Sequence, residues 1–451
     1  MSADPESLKT QAEDLEGAFE FIPGRLYYVP LRNKPHKQKK AAFFSIDEEL
    51  VYWNFFLDFG PLNLGQLYRF CQIVRELLED PKLHNKTIYY YSAATSQKKA
   101  NAAYLISSFA MLCIGRTPEQ AFAPFANTPL PPFHDATPGR CTYSLSVLDC
   151  LRGIDHAVRC GHVDFPKFNI DEYEYFERVE CGDLNWLVKD KFLAFAGPHE
   201  YRMETSEGFE TLVPEDYIPY FKKAGVKLVI RLNKKCYDEQ RFVRAGIKHL
   251  DLFYADGTNP PPSVLRAFLE ACEAEPGAIA VHCKAGLGRT GTCIGCYMMK
   301  HWDYSAAETI GWLRVCRPGS VIGPQQHYLE EIEPVMRAEG RRLRAGSGAA
   351  PGPPANARKG LTRAFDEFEA KHYTSSAIIT AAAASTSSGA SISSFGSHGG
   401  SASSIGPGLV EESKMETDEK ELSQGDFLLS KKGERAAMQR QRMLAAPTHP
   451  F

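Results

Sequence analysis

A short segment of the chain, VHCKAGLGRTGT at residues 281–292, combines one cysteine, three glycines and one arginine. Five residues separate Cys283 from Arg289: Lys284, Ala285, Gly286, Leu287 and Gly288. Small side chains let a backbone curl so that successive N–H groups point inward and bind a tetrahedral anion. The planar guanidinium of Arg289 can then hold two anion oxygens, because its fork matches their geometry. The segment therefore predicts a phosphate-binding loop.

Cys283 lies at the start of this loop, where the same N–H groups and the end of a following helix would favour its thiolate. Such surroundings lower the pKa of a cysteine below its free value of about 8.5. A thiolate in line with a bound phosphorus attacks it and forms a phosphocysteine. Thr290 follows the arginine, and its hydroxyl could donate to the sulfur as the sulfur leaves. The alternative, an inert buried cysteine at a strand end, would need neither the glycines nor Arg289.

Cleavage of a phosphate ester also needs a proton donor for the leaving oxygen, carried by a loop that closes over the substrate. Asp256 suits this role, because it ends a predicted strand and opens the turn-rich sequence DGTNPPP. Its strand end should reach the same sheet edge as Cys283. The rival Asp251 lies inside the predicted strand, and turn capping is the alternative role for Asp256. For the second step, Gln325 or Gln326 could orient the attacking water, or they could simply be polar residues that begin a helix.

Strands and helices alternate around these residues, a pattern typical of α/β proteins. Apolar runs predict strands over residues 226–233, 249–256 and 277–283. Helical periodicity predicts helices over residues 263–275, 289–302 and 306–317, the last stopped by Pro318 and Gly319. This order places Cys283 at the end of a strand and Arg289 at the start of a helix.

A similar strand–loop–helix–helix unit occurs earlier in the chain. Residues 86–93 predict a strand, the loop ATSQKKAN follows, and an apolar helix over residues 102–115 precedes another helix that opens at residue 117. The loop of this copy contains neither cysteine nor glycine, so we expect it to be chemically silent. The chain therefore predicts a duplicated α/β unit whose second copy carries the chemistry.

The bulk composition gives no reason to expect nucleic acid or a membrane as the main partner. The 451 residues carry a formal net charge of -3, close to balance. The N-terminal MSADPESLKT lacks the basic and apolar parts of a signal peptide. The most apolar segment, residues 102–115, is too short to span a bilayer. We therefore expect the 12 cysteines to be free thiols in a reducing compartment. Cys293 and Cys296 form a CxxC pair, but no second ligand pair lies nearby, so we predict no metal site.

The composition changes near residue 340, where alanine, serine, glycine and proline become dominant. Such a segment cannot bury enough apolar surface to offset its chain entropy, so we predict a disordered tail over residues 339–451. The tail contains the acidic cluster EESKMETDEKE at residues 411–421 and the basic end KKGERAAMQRQR at residues 431–442. The basic end could form a short amphipathic helix, and a solvated tail is favoured over a nuclear import signal.

Several stretches together resemble one family, the cell-division-cycle-fourteen (CDC-fourteen) dual-specificity protein phosphatases. They include HCKAGLGRTGT, FYADG and RPGSVIGPQQH, and also stretches without a catalytic role, such as FSIDEELVYWNFFLDFGPLNLGQLYRFC, KKANAAYLI, GDLNWLV and FLAFAGPH. The resemblance covers about residues 15 to 335. It implies an α/β fold of two tandem phosphatase-like domains, each a central sheet flanked by helices. The expected parts are an inactive N-terminal domain at 15–160, a linker helix region at 161–195, a catalytic domain at 196–338 and the disordered tail at 339–451.

The resemblance also implies an activity and its setting. Such an enzyme would remove phosphate from phosphoserine, phosphothreonine and phosphotyrosine through a phosphocysteine, and would prefer Ser-Pro sites of the cyclin-dependent-kinase type with a basic residue downstream. Its partners would be the phosphoproteins that carry these sites, and it would need no metal and no cofactor. It would act in the cell cycle, in mitosis and cell division, and be found in the nucleus and cytoplasm, at the centrosome, the spindle or other parts of the cytoskeleton. The oligomeric state is not indicated.

A crowded acidic stretch before the catalytic domain is a counterpart for the basic preference. Its carboxylates are Asp171, Glu172, Glu174, Glu177 and Glu180. Glu174 and Glu177 lie one helical turn apart and would share a face. If that face borders the cleft between the domains, it would attract a substrate lysine or arginine, with Glu180 as a third contact. A solvated helix face is the alternative.

The chain departs from the family pattern at two places, and three other functions compete. His134 stands in PFHDA where an arginine is expected, and the acid loop has GTNPP where serine-threonine-proline is usual.

A phosphoinositide phosphatase would tend to carry a second basic residue where Leu287 stands. A binding scaffold would not need the complete set of Cys283, Arg289 and Asp256. A tyrosine-only phosphatase would differ in the depth of its pocket, which a sequence does not reveal.

Overall fold

The computed structural model describes residue 11, residues 13–347 and residues 423–445. Within these ranges the chain forms two sheets, each with helices packed against it. The predicted α/β class with two such halves is confirmed.

The first sheet has four strands in the order β1-β2-β4-β3. Its strands are β1 (Phe19–Ile22), β2 (Leu26–Leu31), β3 (Ala41–Phe44) and β4 (Thr87–Ala93). Strands β2 and β3 both run parallel to β4 between them. In β4, the buried residues Ile88, Tyr90 and Ser92 alternate with more exposed ones, which is the pattern of a strand with one face in the core.

Four helices accompany the first sheet: α1 (Leu64–Glu79), α2 (Ser96–Ile114), α3 (Pro118–Phe122) and α4 (Val147–Cys160). Helix α1 begins at a reciprocal cap, in which the Asn63 side chain accepts from the Gln66 N–H and the Gln66 side chain accepts from the Asn63 N–H. Every residue of α2 from Ala100 to Cys113 is buried. This explains why that helix has an apolar sequence without a polar face.

The second sheet has five strands in the order β5-β6-β9-β7-β8. They are β5 (Leu184–Val188), β6 (Phe192–Phe195), β7 (Val226–Arg231), β8 (Lys248–Asp251) and β9 (Ala278–His282). Strand β9 is buried at every residue and runs parallel to β6 and β7 on its two sides. Its carboxyl end, which leads into Cys283, therefore opens at the middle of the sheet edge, where ligands bind in parallel sheets.

The helices that follow the first half begin with α5 (Ile170–Glu177), which lies between the two sheets in the chain. The others are α6 (Pro214–Lys223), α7 (Gln240–Val243), α8 (Pro262–Ala274), α9 (Gly288–Trp302), α10 (Ala306–Cys316), α11 (Pro324–Ser347) and α12 (Gln424–Ala445). Helix α9 is buried from Gly288 to Lys300, so it forms the centre of the second half.

The two halves meet where α4 packs on α10. A Cβ on Gly153 would lie 2.5 Å from the Glu308 carbonyl oxygen, and a Cβ on Gly311 would lie 2.9 Å from the Cys150 Cα. The two helices therefore approach at backbone distance, which only residues without a side chain allow. This contact fixes the first half against the half that carries the cysteine motif.

Two boundaries differ from the sequence-based expectation. Strands β5 and β6 lie inside the region predicted as a linker helix, 161–195, and only α5 is an α-helix in that range after α4 ends. The two strands pair with each other, and β6 pairs with β9, so the second sheet begins at Leu184 and not after residue 196. Short apolar runs such as LNWLV do not distinguish a strand from a buried helix. In the first half, α2 begins at Ser96, inside the predicted loop ATSQKKAN.

The predicted disordered tail, 339–451, is helical in the two parts that the structure describes. Helix α11 continues to Ser347, and α12 covers the predicted basic end and begins earlier, at Gln424. The acidic cluster at 411–421 lies outside the described residues. Helix α12 packs on the protein through the buried Leu428, a tertiary contact that a composition-based prediction does not include. In the described ranges we find no helix with the length and apolarity to cross a membrane.

Candidate active site

The predicted phosphate-binding loop connects β9 to α9. Gly286 has a positive φ of 68°, and a Cβ there would lie 2.0 Å from the Phe195 carbonyl oxygen. The loop thus needs glycine at this position both for its backbone conformation and for its close approach to β6. The buried Arg317 donates to the carbonyl oxygens of Gly286 at 2.8 Å and Ala285 at 3.1 Å. Because Arg317 holds these carbonyl oxygens, the N–H groups of the loop are left to face an anion.

Cys283 is buried at the base of this loop. Burial opposes its thiolate, but the charge of Arg289 and the neighbouring Thr290 hydroxyl outweigh burial and lower the pKa of Cys283. The buried Thr290 Oγ1 has no hydrogen-bond partner among the described residues, so it remains available to the sulfur. The two cysteines of α9 show the opposite effect, because burial raises the pKa of Cys293 to about 12 and raises the pKa of Cys296 well above its ordinary value. The surroundings of Cys283 thus favour its thiolate, whereas those of Cys293 and Cys296 favour the thiol.

Sequence reasoning did not assign a role to His282, which precedes the cysteine. Burial lowers the pKa of His282 to about 3, so the ring is neutral. Its Nδ1 donates to the Cys283 carbonyl oxygen at 2.9 Å, and its Nε2 accepts from the Tyr237 hydroxyl at 2.8 Å. These bonds hold the backbone of the cysteine in place, and the signal in the sequence was the histidine directly before the motif.

Arg289 is buried and oriented by the surrounding backbone. Its Nη1 donates to the Tyr254 carbonyl oxygen at 2.9 Å, and its Nη2 lies 3.1 Å from the Asp256 Oδ1. Its Nε has no hydrogen-bond partner among the described residues. A buried guanidinium N–H without an acceptor is costly, and a bound anion oxygen would satisfy it. The arrangement suits the predicted grip of Arg289 on a phosphate.

Asp256 lies opposite the loop, with its carboxylate close to Arg289. Its Oδ1 also accepts from the Gly257 N–H at 3.1 Å, and about a fifth of its side chain, 19%, is exposed. The rival Asp251 is held at the end of β8, where it accepts from Arg231 at 2.6 Å and 2.8 Å. Of the two aspartates, the structure brings only Asp256 to Cys283 and Arg289.

Gln325 and Gln326 are both buried, but their partners differ. Gln325 accepts from the Ile322 N–H at 3.1 Å and donates to the Thr258 carbonyl oxygen at 3.2 Å. A Cβ on Gly288 would lie 2.8 Å from its Oε1, so the amide lies directly over the phosphate-binding loop. The Gln326 side chain instead accepts a hydrogen bond from Arg314. The geometry therefore favours Gln325 for the water-orienting role.

The predicted acidic face on α5 is only partly brought to the site. Glu174 is paired with Arg69 and is partly exposed. Glu177 points inward, where it accepts from Asn63 Nδ2 at 2.7 Å, and burial raises its pKa. Glu180 is exposed, and Asp171 and Glu172 are exposed on the first turn of α5. Of the three predicted substrate contacts, the structure turns Glu177 toward the cleft beside the phosphate-binding loop.

The second carboxylate of this cleft is Asp183, which sequence reasoning missed. It is buried and accepts from Arg317 Nη2 at 2.9 Å. Asp183 and Glu177 line one cavity together with Phe55 and Leu287. We call this cavity the acidic pocket. In GDLNWLV the sequence shows only an aspartate between a glycine and an apolar run, and the positive φ of 46° at Asp183 becomes visible only in the structure.

Helix α12 lies at the mouth of the site. The Gly425 N–H donates to Asp256 Oδ2 at 2.8 Å, and Asp426 is ion-paired with Lys284. The Asp426 carboxylate also accepts from Ser423, which caps the start of the helix. Leu428 is buried in an apolar cluster with Phe55, Ala136, Ala285, Leu287 and Ile322.

Farther along α12, Lys432 enters the acidic pocket. Its Nζ donates to both oxygens of Asp183 at 2.7 Å and to the Ala285 carbonyl oxygen at 2.8 Å. Burial and the charge of Arg317 lower the pKa of Lys432 to about 7. The next cation, Arg435, stacks over the Phe55 ring at 4.0 Å. The pocket thus accommodates a lysine side chain.

One group in the described part of the chain has the composition of a metal site: His134, Asp135 and Cys141. Both ring nitrogens of His134 are already engaged, Nδ1 with the Asp135 carbonyl oxygen at 2.7 Å and Nε2 with the Cys141 N–H at 3.0 Å. Asp135 Oδ2 accepts from the Gly323 N–H at 2.7 Å, at the start of the segment that carries Gln325. The group therefore forms a hydrogen-bonded link between this segment and the first half of the chain.

Two family models match the chain. The model described as "Dual specificity protein phosphatase, N-terminal half" matches residues 20–157, and the model described as "Dual specificity phosphatase, catalytic domain" matches residues 215–335. The second match contains Cys283, Arg289 and Asp256. The fold and the site therefore define a protein of the dual-specificity phosphatase class.

The relatives define the family more narrowly. Dual specificity protein phosphatase CDC14A of Homo sapiens is 49% identical over 341 residues, which cover 75% of this chain and 57% of that protein. CDC14B of Mus musculus is 45% identical over 76% of this chain and 71% of its own. The tyrosine-protein phosphatase CDC14 of Saccharomyces cerevisiae is 39% identical over 70% and 59%. The chain belongs to the CDC14 dual-specificity protein phosphatase family, which confirms the resemblance, and it spans little more than half the length of the human relative.

Proposed function

We propose that this chain is a cysteine-dependent protein phosphatase that hydrolyses phosphoserine, phosphothreonine and phosphotyrosine in proteins. One observation carries the proposal: the buried Arg289 lies between a cysteine with a lowered pKa and the Asp256 carboxylate, with its Nε directed at no protein acceptor among the described residues. A phosphate held there would have a nucleophile on one side and a proton donor on the other.

In the first step, the Cys283 thiolate attacks the phosphorus of the bound phosphate ester. A sulfur–phosphorus bond forms as the bond from phosphorus to the leaving oxygen breaks, and protonated Asp256 gives its proton to that oxygen. Arg289 and the N–H groups of the loop stabilise the charge on the other phosphate oxygens. The dephosphorylated side chain then leaves with its hydroxyl restored.

In the second step, a water molecule attacks the phosphocysteine. Gln325, which lies over the loop, orients this water, and the Asp256 carboxylate accepts one of its protons. The sulfur–phosphorus bond breaks, and inorganic phosphate leaves. Thr290 donates to the sulfur as it departs, which favours the thiolate over a return to the intermediate.

The preference for Ser-Pro sites with a basic residue downstream is part of the proposal. The acidic pocket supports it, because Asp183 and Glu177 are poorly solvated carboxylates close to the phosphate-binding loop, and a lysine fits there. A substrate lysine or arginine would gain a charge-assisted hydrogen bond in this pocket. Proline-directed selection is carried over from the family.

Family membership supports a role in cell-cycle control. We propose that the phosphatase reverses phosphorylation at cyclin-dependent-kinase sites, and that phosphoproteins with such sites are its partners. The predicted places of action, the nucleus and cytoplasm with the centrosome, spindle or cytoskeleton, stay predictions. Fluorescence microscopy of the tagged full chain through the cell cycle would test them.

The experiment that tests the function is turnover of three phosphopeptides by the full chain in the presence of EDTA. The peptides are pSer-Pro-x-Lys, pSer-Ala-x-Ala and a phosphotyrosine peptide, and Cys283→Ser is the control. We expect the fastest turnover on the first peptide and none with the control, because serine lacks the nucleophilic thiolate. Normal turnover by Cys283→Ser would contradict the assignment of the nucleophile.

Two other outcomes would point elsewhere. Phosphopeptide binding without turnover by a well-folded wild-type chain would favour the scaffold. Turnover of phosphoinositides in vesicles with no turnover of any peptide would favour a lipid phosphatase, although the buried Leu287 stands where a second basic residue would be expected. Comparable rates on all three peptides would remove the proposed selectivity and leave the phosphatase activity standing.

A further inference from the structure

The first sheet carries a row of aromatic side chains that the proposed function does not use. Tyr27 of β2 and Phe43 of β3 both lie opposite Tyr89 of β4 in the register of the strands. The Tyr27 and Tyr89 rings stack with their centroids 5.4 Å apart, and the Phe43 and Tyr89 rings stack at 5.2 Å. All three residues are partly exposed. We call them the aromatic row.

The aromatic row lies on the face of the sheet that is turned away from the helical core. The next residues along the strands, Tyr28 in β2 and Tyr90 in β4, are buried in the core with side chains of α1 and α2. Successive side chains of a strand point to opposite faces, so Tyr27 and Tyr89 point away from that core. Phe43 stacks on Tyr89 from β3, which is an edge strand, so the other side of its ring faces the edge of the sheet.

A basic loop connects β2 to β3 and ends beside the aromatic row. Residues 32–40 contain no carboxylate and five exposed cations, namely Arg32, Lys34, Lys37, Lys39 and Lys40. The ion pairs of the described residues leave all five of these cations free. The Thr87 N–H donates to the Lys40 carbonyl oxygen at 2.9 Å, and Thr87 precedes Tyr89 by two positions in β4. The loop therefore brings its last two lysines to the end of the sheet where the aromatic row lies.

The middle of the basic loop is held in place, so its charges belong to an ordered segment. The Gln11 side chain accepts from the His36 N–H at 2.9 Å and donates to the His36 carbonyl oxygen at 3.3 Å. The net charge of -3 over the whole chain conceals this local surplus of positive charge. Like charges that crowd one surface repel one another, and a bound polyanion would relieve that repulsion.

We propose that the basic loop and the aromatic row bind single-stranded nucleic acid, with phosphates on the loop and unpaired bases against the row. Proteins that bind single strands combine a positively charged surface along the backbone with aromatic rings on which bases stack. The rings of the row are too close together to admit a base, which would need about 7 Å, or twice a contact distance of about 3.5 Å. A base therefore stacks on the free side of Phe43, beside Lys39 and Lys40. This binding goes beyond the proposed phosphatase function and does not depend on it.

The surface favours a single strand over a duplex or a membrane. A duplex hides the faces of its bases within the stack, so the ring of Phe43 would have no base to contact. A membrane surface is held by apolar side chains that insert into it as well as by cations. Among the described residues, none of the highly exposed large apolar side chains belongs to β1–β4 or to the basic loop. Cross-strand aromatic pairs also stabilise a sheet, but that role does not explain the cations beside them.

The test is fluorescence anisotropy of labelled oligonucleotides with the full chain. The probes are single-stranded RNA and single-stranded DNA of about 12 nucleotides, within the usual site sizes, and a duplex of the same sequence. None carries a terminal phosphate, so the catalytic site has no phosphate monoester to bind. Lys39→Glu combined with Lys40→Glu reverses two charges of the loop, and Phe43→Leu removes the ring but keeps an apolar side chain.

The matched controls make the same changes elsewhere on the surface. Lys222→Glu combined with Lys223→Glu changes another adjacent pair of exposed lysines. Phe253→Leu changes a phenylalanine that is 51% exposed. Thermal unfolding and turnover of an aryl phosphate report whether each variant is folded.

We expect the wild-type chain to bind both single strands with a Kd on the order of 10⁻⁵ M or below in about 50 mM salt, and to bind the duplex about fivefold more weakly or worse. The double lysine variant of the loop should raise the Kd by about tenfold or more. It should also reduce the slope of log Kd against log salt by about 1.4, because each phosphate contact of a single strand contributes about 0.7. Phe43→Leu should raise the Kd by about fivefold, the effect of one lost stacking contact, with the salt slope unchanged. Both controls should bind as the wild type does.

Four results would overturn the inference. They are no binding of either single strand, equal Kd values for single strand and duplex, binding that the double lysine variant leaves unchanged, and binding that a folded Phe43→Leu variant leaves unchanged. If Phe43→Leu does not fold, the comparison with the duplex decides whether bases stack. Binding to vesicles that contain phosphatidylserine, with no binding of oligonucleotides, would overturn the inference and assign the basic loop to an anionic membrane. Phosphopeptide turnover is measured separately, so each of these results leaves the proposed phosphatase function standing.

Discussion

Gln325 Nε2 donates a hydrogen bond to the Thr258 carbonyl oxygen at 3.2 Å, and this bond ties two loops of the site together. Thr258 follows Asp256 by two positions, so it belongs to the acid loop. Gln325 is the second residue of α11. The amide that we propose to orient water and the loop that carries the proposed proton donor are therefore held by one connection.

The connection predicts the effect of Gln325→Ala. The variant should slow hydrolysis of the phosphocysteine more than its formation, so the intermediate accumulates and a burst of released leaving group precedes the steady state. Rapid-mixing kinetics with an aryl phosphate would measure the burst. Gln326→Ala is the comparison, because Gln326 is bound by Arg314 away from the loop and should lower the Tm without producing a burst. Equal effects of both variants on the burst would contradict the assignment.

Removal of the acid should separate substrates by their leaving groups. Asp256→Asn keeps the size of the side chain but cannot donate a proton to an alkoxide in the same way. We expect turnover of a phosphoserine peptide to fall by about 10²–10⁴-fold, the usual contribution of a general acid. An activated aryl phosphate, whose leaving group needs little protonation, should slow far less in its first step. Equal slowing of the two substrates would remove Asp256 from this role.

The acidic pocket predicts a selective loss. Asp183→Asn should lower kcat/KM for pSer-Pro-x-Lys by about tenfold, or about 1.4 kcal/mol, and leave a peptide without the lysine nearly unchanged. Glu180→Gln is the matched control, because Glu180 is acidic and close in sequence but exposed. Asp183 also accepts from the buried Arg317, so thermal unfolding should show a lower Tm for Asp183→Asn. An unchanged ratio between the two peptides would separate Asp183 from substrate selection.

The close approach of the loop to β6 predicts that alanine is not tolerated at Gly286. Gly286→Ala would place its Cβ 2.0 Å from the Phe195 carbonyl oxygen. Gly246→Ala serves as the control, because Gly246 also has a positive φ, 84°, but has open space around its Cβ position. Both variants should carry a backbone cost of about 1–2 kcal/mol, and only Gly286→Ala should also lose binding of inorganic phosphate. Calorimetry and thermal unfolding would measure the two effects, and normal phosphate binding by Gly286→Ala would contradict the loop geometry.

The lowered pKa of Cys283 predicts its reactivity with pH. Its thiolate should persist below the free cysteine value of about 8.5, so the midpoint of its alkylation by iodoacetate should lie below that pH. The same shift stabilises the fold above the pKa of the unfolded state, and this contribution is lost as the pH falls through the pKa in the folded state. Arg289→Met should raise the midpoint, because the charge of Arg289 favours the thiolate. Mass spectrometry of the labelled peptides would identify the site, and an unshifted midpoint would contradict the account.

Much of the fold and the centre of the site could be predicted because they follow from local patterns. One continuous stretch contains the strand before Cys283, the glycines after it and the helix from Gly288. These elements are therefore neighbours in space because they are neighbours in the sequence. The expectation that Asp256 ends a strand and that Asp251 lies inside it was wrong, because β8 ends at Asp251 and Asp256 belongs to the loop that follows. The rule that parallel strands end at one edge of a sheet still located that loop correctly. The duplicated unit was recognisable for the same reason, since each copy is a local run of strand and helices.

The parts that could not be predicted depend on contacts between distant residues. Asp183 became visible only when Arg317 and Lys432 were seen to converge on it from elsewhere in the chain. Glu174 and Glu180 have the residue type and the spacing expected of a binding face. In the structure, however, Glu174 is ion-paired with Arg69, and Glu180 is exposed to solvent. Helix α12 is the clearest case, because its Leu428 is buried among residues that are distant in the sequence, and tertiary packing of this kind supplies most of the stability of a helix.

The central claim is that catalysis proceeds through Cys283, and trapping the intermediate tests it most directly. The wild-type full chain would be mixed with a phosphoserine peptide, quenched in acid within the first turnover, digested and examined by mass spectrometry. We predict one phosphoryl group on the peptide that contains Cys283, and none in the Cys283→Ser variant. Turnover with no phosphoryl group on Cys283, or with one on another residue, would contradict the account.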